Sequence, residues 1–150
     1  MSDIATRWDI PGSRGDWAVS VTGDDLESGD DLVTAVLISL FTDRVADPDD
    51  VIPDGTDDPR GWCGDAGETH PIGSRLWLLN RAKQTTETLT RARDYIVEAL
   101  QWMLDDGVVA SFDITVAYPR FQMLGAQIVA WRNDGTNVAM NFSWAWQGLN

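Results

Sequence analysis

Between Thr86 and Asp106 the chain places Leu89, Ala92, Tyr95, Ile96, Ala99, Leu100, Met103 and Leu104 at spacings of 3, 3, 1, 3, 1, 3 and 1. An α-helix gathers positions so spaced onto one face, and Gly107 stands where such a helix would end. The period then changes to two. Phe112, Ile114 and Val116 share one face of a segment from Val108 to Tyr118, which Pro119 is expected to break. Phe121 to Trp131 reads as a second strand. Asn133-Asp134-Gly135 is a hairpin signal, and Thr136 to Trp146 returns as a third. A long amphipathic helix followed by such strands leads to an α+β fold: helices packed on one face of a mostly antiparallel sheet of three to five strands. In the third strand Val138, Met140, Phe142, Trp144 and Trp146 fall on one face, with Asn137, Asn141, Ser143 and Ala145 on the other. This apolar strand is expected at a sheet edge.

The first half is organised differently. Trp8-Asp9-Ile10, a turn over Pro11–Gly15 and Trp17–Val21 fit a hairpin with Trp17, Val19 and Val21 on one face. An extended arm over residues 1–22 fits as well. A polar connection, Thr22 to Asp30, leads to Asp30 or Asp31 as the N-cap of a helix running to about Thr42. That helix is apolar almost all round and so is expected to be buried on most sides. Residues 43–73 then form a long Asp/Gly/Pro loop before a short helix from Ser74 to about Arg81. A loop of this length is either functional or disordered. Trp62 and its tightly spaced glycines argue for an ordered contact loop between the first two helices.

Charge and composition exclude several classes. The 150 residues form one domain, 1–150, with net charge −13, and residues 1–70 hold 17 acidic against 4 basic residues. Binding nucleic acid requires Lys and Arg to neutralise phosphates, so neither nucleic acid nor an anionic membrane surface is an expected partner. An acidic decoy of DNA would spread its carboxylates, whereas residues 71–150 are balanced at 7 acids and 7 bases. Cys63 is the single cysteine, which fits a reducing compartment. No signal peptide or membrane-spanning run is legible, which places synthesis in the cytoplasm. Eight Trp exceed what a core of this size needs, and either a Trp-rich core or a partner surface accounts for them.

The loop acids Asp47, Asp49, Asp50, Asp54, Asp57 and Asp58 lack the D-x-[DN]-x-[DN]-G spacing of a calcium loop. His70 and Cys63 lack a second pair for zinc. No metal or other cofactor is therefore expected. Nor is catalysis: no Ser-His-Asp set, P-loop or G-x-G-x-x-G is present. Glu27, Glu68 and Glu87 lie in polar company and Glu98 falls on the polar side of its helix, so none offers the apolar setting of a glycosidic acid.

Several ordered motifs carry a resemblance. Ala35-Val36-Leu37-Ile38-Ser39-Leu40-Phe41-Thr42-Asp43-Arg44, Asp54-Gly55, Gly61-Trp62-Cys63-Gly64-Asp65, Gly73-Ser74-Arg75-Leu76-Trp77-Leu78-Leu79, Thr86-Glu87-Thr88-Leu89 and Glu98-Ala99-Leu100 resemble the Mu-type phage baseplate family over roughly Asp16 to Trp146. Cys63 stands where the family pattern favours a second Trp. More loosely, Thr42-Asp43-Arg44 and Gly73-Ser74-Arg75-Leu76 are similar to landmarks of the lysozyme-like wedge proteins of contractile tails, with an enlarged loop between them. The resemblance implies a non-enzymatic sheath initiator, linking the baseplate wedge to the first ring of tail sheath. Its implied partners are the tail sheath protein, baseplate wedge proteins and, further, tube or hub proteins. It also implies several copies per baseplate in six-fold arrangement, in the virion and in the host cytoplasm during assembly. A lysozyme-like cell-wall glycosidase of the tail is the alternative. Val138, Met140, Phe142, Trp144 and Trp146 are the expected sheath-binding strand, acting by β-augmentation. Arg44, Arg60, Trp62 and Asp65 are the expected baseplate contacts, because Arg and Trp dominate interface anchors.

Overall fold

A computed structural model describes residues 6–9, 14–17, 31–66 and 68–145. The elements are β1 (Thr6–Asp9), β2 (Arg14–Trp17), α1 (Asp31–Phe41), α2 (Thr86–Asp105), β3 (Ser111–Arg120), β4 (Met123–Trp131) and β5 (Asn137–Ala145), with 3-10 turns over Cys63–Asp65 and Leu76–Leu79. Strands β3, β4 and β5 form one antiparallel sheet in that order, while β1 and β2 form a separate antiparallel hairpin that approaches α1. The architecture is α+β, as the change of period predicts.

The striped helix forms as its sequence requires. Thr85 caps it, its Oγ1 accepting from the amide of Thr88 at 3.3 Å. At the other end Gly107, at φ +72°, lets Val108 N donate to Met103 O at 2.9 Å and turns the chain toward the sheet. The buried stripe of Ala92, Tyr95, Ile96, Ala99, Leu100 and Met103 meets Leu124, Ala126, Ile128 and Ala130 of β4, together with Met140 and Phe142 of β5. α1 adds Leu32, Val36, Leu37 and Leu40 to the same core, with Phe41 edge-to-face against Phe142 at 5.9 Å between ring centroids. The inner face of β3 is only half-buried at Phe112, Ile114, Val116 and Tyr118, as suits an edge strand.

Several expectations need correction. The N-terminal strands pair at 6–9 and 14–17, with Asp9 opposite Arg14, so Arg14 and Gly15 belong to the second strand and not to the turn. Ile10, Val19, Val21 and the connection Thr22–Asp30 lie outside the described residues. Pro119 does not end its strand. β3 continues to Arg120 through a register shift between Ala117 and Arg120, and a shift of this kind accommodates a residue without an N–H donor. The short helix is a 3-10 turn over Leu76–Leu79, all four residues buried. α1 is less enclosed than its composition suggests, since Ile38 is 47% exposed.

At the far end of α1 the chain departs into the long loop and returns beside its starting point. Ser74 N donates to Thr42 O at 2.9 Å and Arg44 N to Ser74 O at 3.0 Å, a one-pair parallel bridge. The buried Ser74 hydroxyl donates to Leu40 O. Gly73 makes this closure sterically feasible: its φ is +98°, and a Cβ there would lie 2.3 Å from Thr42 O. Both the angle and the space exclude a side chain.

Two predictions follow from these closures. Gly73→Ala should destabilise the protein by about 1–3 kcal/mol from backbone strain alone, with the clash adding to it. Gly107→Ala, where the added Cβ would meet nothing within 4 Å, should destabilise less; urea midpoints rank the two. In the β4–β5 turn, Asp134 Oδ1 accepts from the amide of Thr136 at 2.9 Å and from its hydroxyl at 2.6 Å. These bonds hold the carboxyl below its ordinary 3.8, aided by the charge of Arg132. The stabilisation is therefore complete above that value and is lost as pH falls through the lowered one. The urea-midpoint difference between wild type and Asp134→Asn should be constant near neutrality and shrink in acid.

Candidate functional site

The acidic loop is held by two arginines, each wedged between carboxylates and an aromatic ring. Arg75, with its side chain 16% exposed, projects from the start of the buried Leu76–Leu79 turn. Its Nε and Nη2 donate to Glu98 Oε1 and Oε2 at 2.8 and 2.9 Å, a bidentate pair with α2. Its Nη1 reaches Asp47 Oδ2 at 2.8 Å and Asp50 Oδ2 at 2.9 Å in the loop. The guanidinium lies 4.8 Å from the ring centroid of Tyr95, one turn before Glu98. Burial by itself favours the neutral form of Arg75. The bonds and charges of Glu98 and Asp50 outweigh it and hold the group protonated beyond its ordinary range. Arg44 Nε adds a second cation 3.7 Å from Glu98 Oε1.

The second clamp is Arg60. It bonds Asp43 Oδ2 at 2.7 Å, lies 3.6 Å from Asp54 Oδ2, and sits 4.5 Å above the ring of Trp77. The indole N–H of Trp77 in turn donates to Arg44 O at 2.8 Å. Asp54 also accepts from the hydroxyl and amide of Thr56, which lower its carboxyl below the usual range. Asp58 Oδ1 accepts from Arg60 N at 2.9 Å, in a turn where Arg60 has φ 55°. Asp43, Asp47, Asp50, Asp54 and Asp58 thus serve the loop's own architecture. Among the described residues no three His, Cys, Asp or Glu side chains gather as a metal-ligand set.

Past Arg60 the loop presents Trp62, 49% exposed. Its ring lies against Gly64 so closely that a Cβ there would sit 2.1 Å from a ring carbon. Asp65 Oδ1 accepts from Ile72 N at 2.9 Å, and its buried Oδ2 has no hydrogen-bond partner. Val45, Arg60, Trp62, Asp65, Glu68 and Pro71 line an open groove here.

The four expected baseplate contacts therefore divide. Arg44 and Arg60 are engaged within the domain, whereas Trp62 and Asp65 come together at the groove. Sequence reasoning missed Arg75 and the partners of Glu98, which lies off the buried stripe but is half-buried and gripped by two arginines. The available signals were an arginine inside an otherwise apolar run and an acid three residues after Tyr95 on one helix.

On the sheet, Met140 and Phe142 are buried in the core and Val138 is half-buried against it. Trp144 stands opposite Leu124 in the register, and Trp146 lies outside the described residues. The expected strand set is thus largely directed inward. What β5 offers outward is its far edge, to which no strand pairs among the described residues, and Asn137, Ala139 and Asn141, which are exposed.

A family model described as phage protein GP46 matches residues 32–137. The chain is 42% identical over 149 residues to the baseplate protein gp46 of Escherichia phage Mu, covering 99% of this chain and 100% of that one. It is 35% identical over 147 residues to the Mu-like prophage FluMu protein gp46 of Haemophilus influenzae (strain ATCC 51907 / DSM 11121 / KW20 / Rd), covering 97% and 98%. The matches span both the clamped loop and the sheet.

The clamp makes a quantitative prediction. Arg75→Met and Glu98→Gln should each destabilise, since each leaves a partly buried charge without its partner. The double variant should show a coupling of about 1–3 kcal/mol in a urea-denaturation cycle. Amide exchange within residues 44–60 should accelerate in Arg75→Met beyond the change in α2, because only the loop loses both its carboxylate contacts.

Proposed function

The chain belongs to the phage GP46 family, and on that premise we propose that it is a structural baseplate component of a Mu-like contractile tail. In this reading it is a sheath initiator, joining the baseplate wedge to the first ring of tail sheath. It sits in the virion, in several copies of six-fold arrangement, after assembly in the host cytoplasm. The naming of the Mu relative as a baseplate protein supports the location.

The observation that carries the sheath role is the contrast between the two edges of the sheet. An open edge invites pairing with another chain, and proteins guard against it with charge, proline or irregularity. β3 has all three: Asp113, Arg120, Pro119 and a register shift. β5, with the sequence NVAMNFSWA, has no charge and no proline, and its nine residues pair with β4 in unbroken register. An unguarded edge beside a guarded one is what strand addition requires. Val138, Met140 and Phe142 anchor the strand from within, so an arm of sheath protein would be held by main-chain bonds, with Asn137, Ala139 and Asn141 beside it. Trp62 and Asp65 face the wedge proteins in this scheme, with tube or hub proteins as further neighbours.

The role is non-enzymatic. Glu98, on the long helix that lines the core, is fixed between Arg75 and Arg44. Both of its oxygens are engaged by the Arg75 guanidinium, so neither is free to donate a proton to a glycosidic oxygen.

The test keeps the core intact, because deleting β5 would remove Met140 and Phe142 from it. Ala139→Lys with Asn141→Lys places two charges along the edge at exposed positions. The variant should keep the wild-type urea midpoint and its capture of wedge subunits while losing capture of the sheath protein of its own phage. Undiminished sheath capture would show that the contact lies elsewhere.

A further inference from the structure

The loop meets its neighbours with the opposite sign to the one its arginines suggest. Arg44 and Arg60 are already paired with Glu98, Asp43 and Asp54, and Arg75 is saturated by Glu98, Asp47 and Asp50. No cation of the loop is left over for a partner. Negative charge is left over: Asp49, Asp57 and Glu68 are exposed without an ion pair among the described residues. At the groove this excess meets two further features. Asp65 bonds the backbone through one oxygen, and its other oxygen is buried with no hydrogen-bond partner among the described residues. Beside it stands an indole fixed against Gly64 with half its surface in solvent. Arg60 also borders the groove, but its charge is neutralised by Asp43 and Asp54 behind it.

A carboxylate pair next to an exposed, immobilised indole is a receptor for a cation with a flat or apolar shank. The same chemistry is already used twice inside the loop, where Arg60 lies over Trp77 and Arg75 over Tyr95, each flanked by carboxylates. We propose that the groove at Trp62 receives an arginine or lysine side chain of a neighbouring wedge subunit, stacked on the indole and paired with Asp65 and Glu68. This rests on the reading that the loop side faces the wedge. It adds that the neighbour's contact is basic, and that the loop's acidity acts as its electrostatic guide.

The full chain, labelled with nitrogen-15, is titrated with a capped diarginine peptide and, separately, with a capped diglutamate peptide. The Trp62 indole resonance, assigned with Trp62→Phe, and the amides around Asp65 and Glu68 should shift saturably with diarginine alone. Asp65→Asn with Glu68→Gln should weaken that binding about tenfold, the scale of one well-placed cation–π and charge contact. Glu68 is exposed and has no role in the clamps, so Glu68→Gln alone provides a variant that folds normally. No shift with diarginine, an equal shift with diglutamate, or no response to the double variant would overturn the proposal. Capture of wedge subunits separates the two readings. If the double variant loses diarginine but holds the wedge as well as wild type, the groove is a cation site and the wedge contact is elsewhere. If wild type binds diarginine but no wedge subunit, the wedge assignment itself fails.

Discussion

Arg75 ties the first half of the molecule to the second, gripping Glu98 through two bonds and Asp47 and Asp50 through its remaining nitrogen. A guanidinium this far from water is tolerable only when its donors are filled, and here three carboxylates and an aromatic ring fill them. Glu98 belongs to the long helix whose stripe lines the core. Asp47 and Asp50 belong to an acidic segment with few apolar contacts of its own. Without the grip, Asp47 and Asp50 would lose the cation that lies between them. With it, the position of Asp47 and Asp50 is fixed by the helix. From there the order extends through Asp43, Arg60 and Trp77 to the exposed indole.

That division explains what the sequence made legible. α2 and the β4–β5 hairpin follow from a period of 3.6, a period of two and the triplet Asn133-Asp134-Gly135, all local signals. The ion pairs of Arg75 join residues 23, 25 and 28 positions apart, and no local pattern encodes such a distance. Reading Arg44 and Arg60 as surface anchors follows from residue type alone, which cannot tell a partnered guanidinium from a free one. The partners of Glu98 escape for the same reason. On a helical wheel it stands off the stripe, but the loop covers that flank. The strand from Val138 was placed correctly, with one face apolar because it lines the core. Its outward asset is its backbone edge, which side-chain alternation does not report.

The two surfaces lie on different structural footings. The β5 edge rests directly on buried residues, since Met140 and Phe142 pin it to the helices and Phe41 packs against Phe142. A strand added there would meet a template already set by the core. The groove at Trp62 rests instead on charge pairs and turns within the loop. Preorganisation in the first case comes from packing, and in the second from electrostatics, which salt screens more readily.

Because Ser74 returns to bond Thr42 and Arg44, the segment between them is topologically an insertion hung on a single closed neck. Lengthening such an excursion is thermodynamically mild, about 0.6 kcal/mol for each doubling. A change of length in this segment would therefore be felt in the loop and not at the sheet edge, which is held by the core.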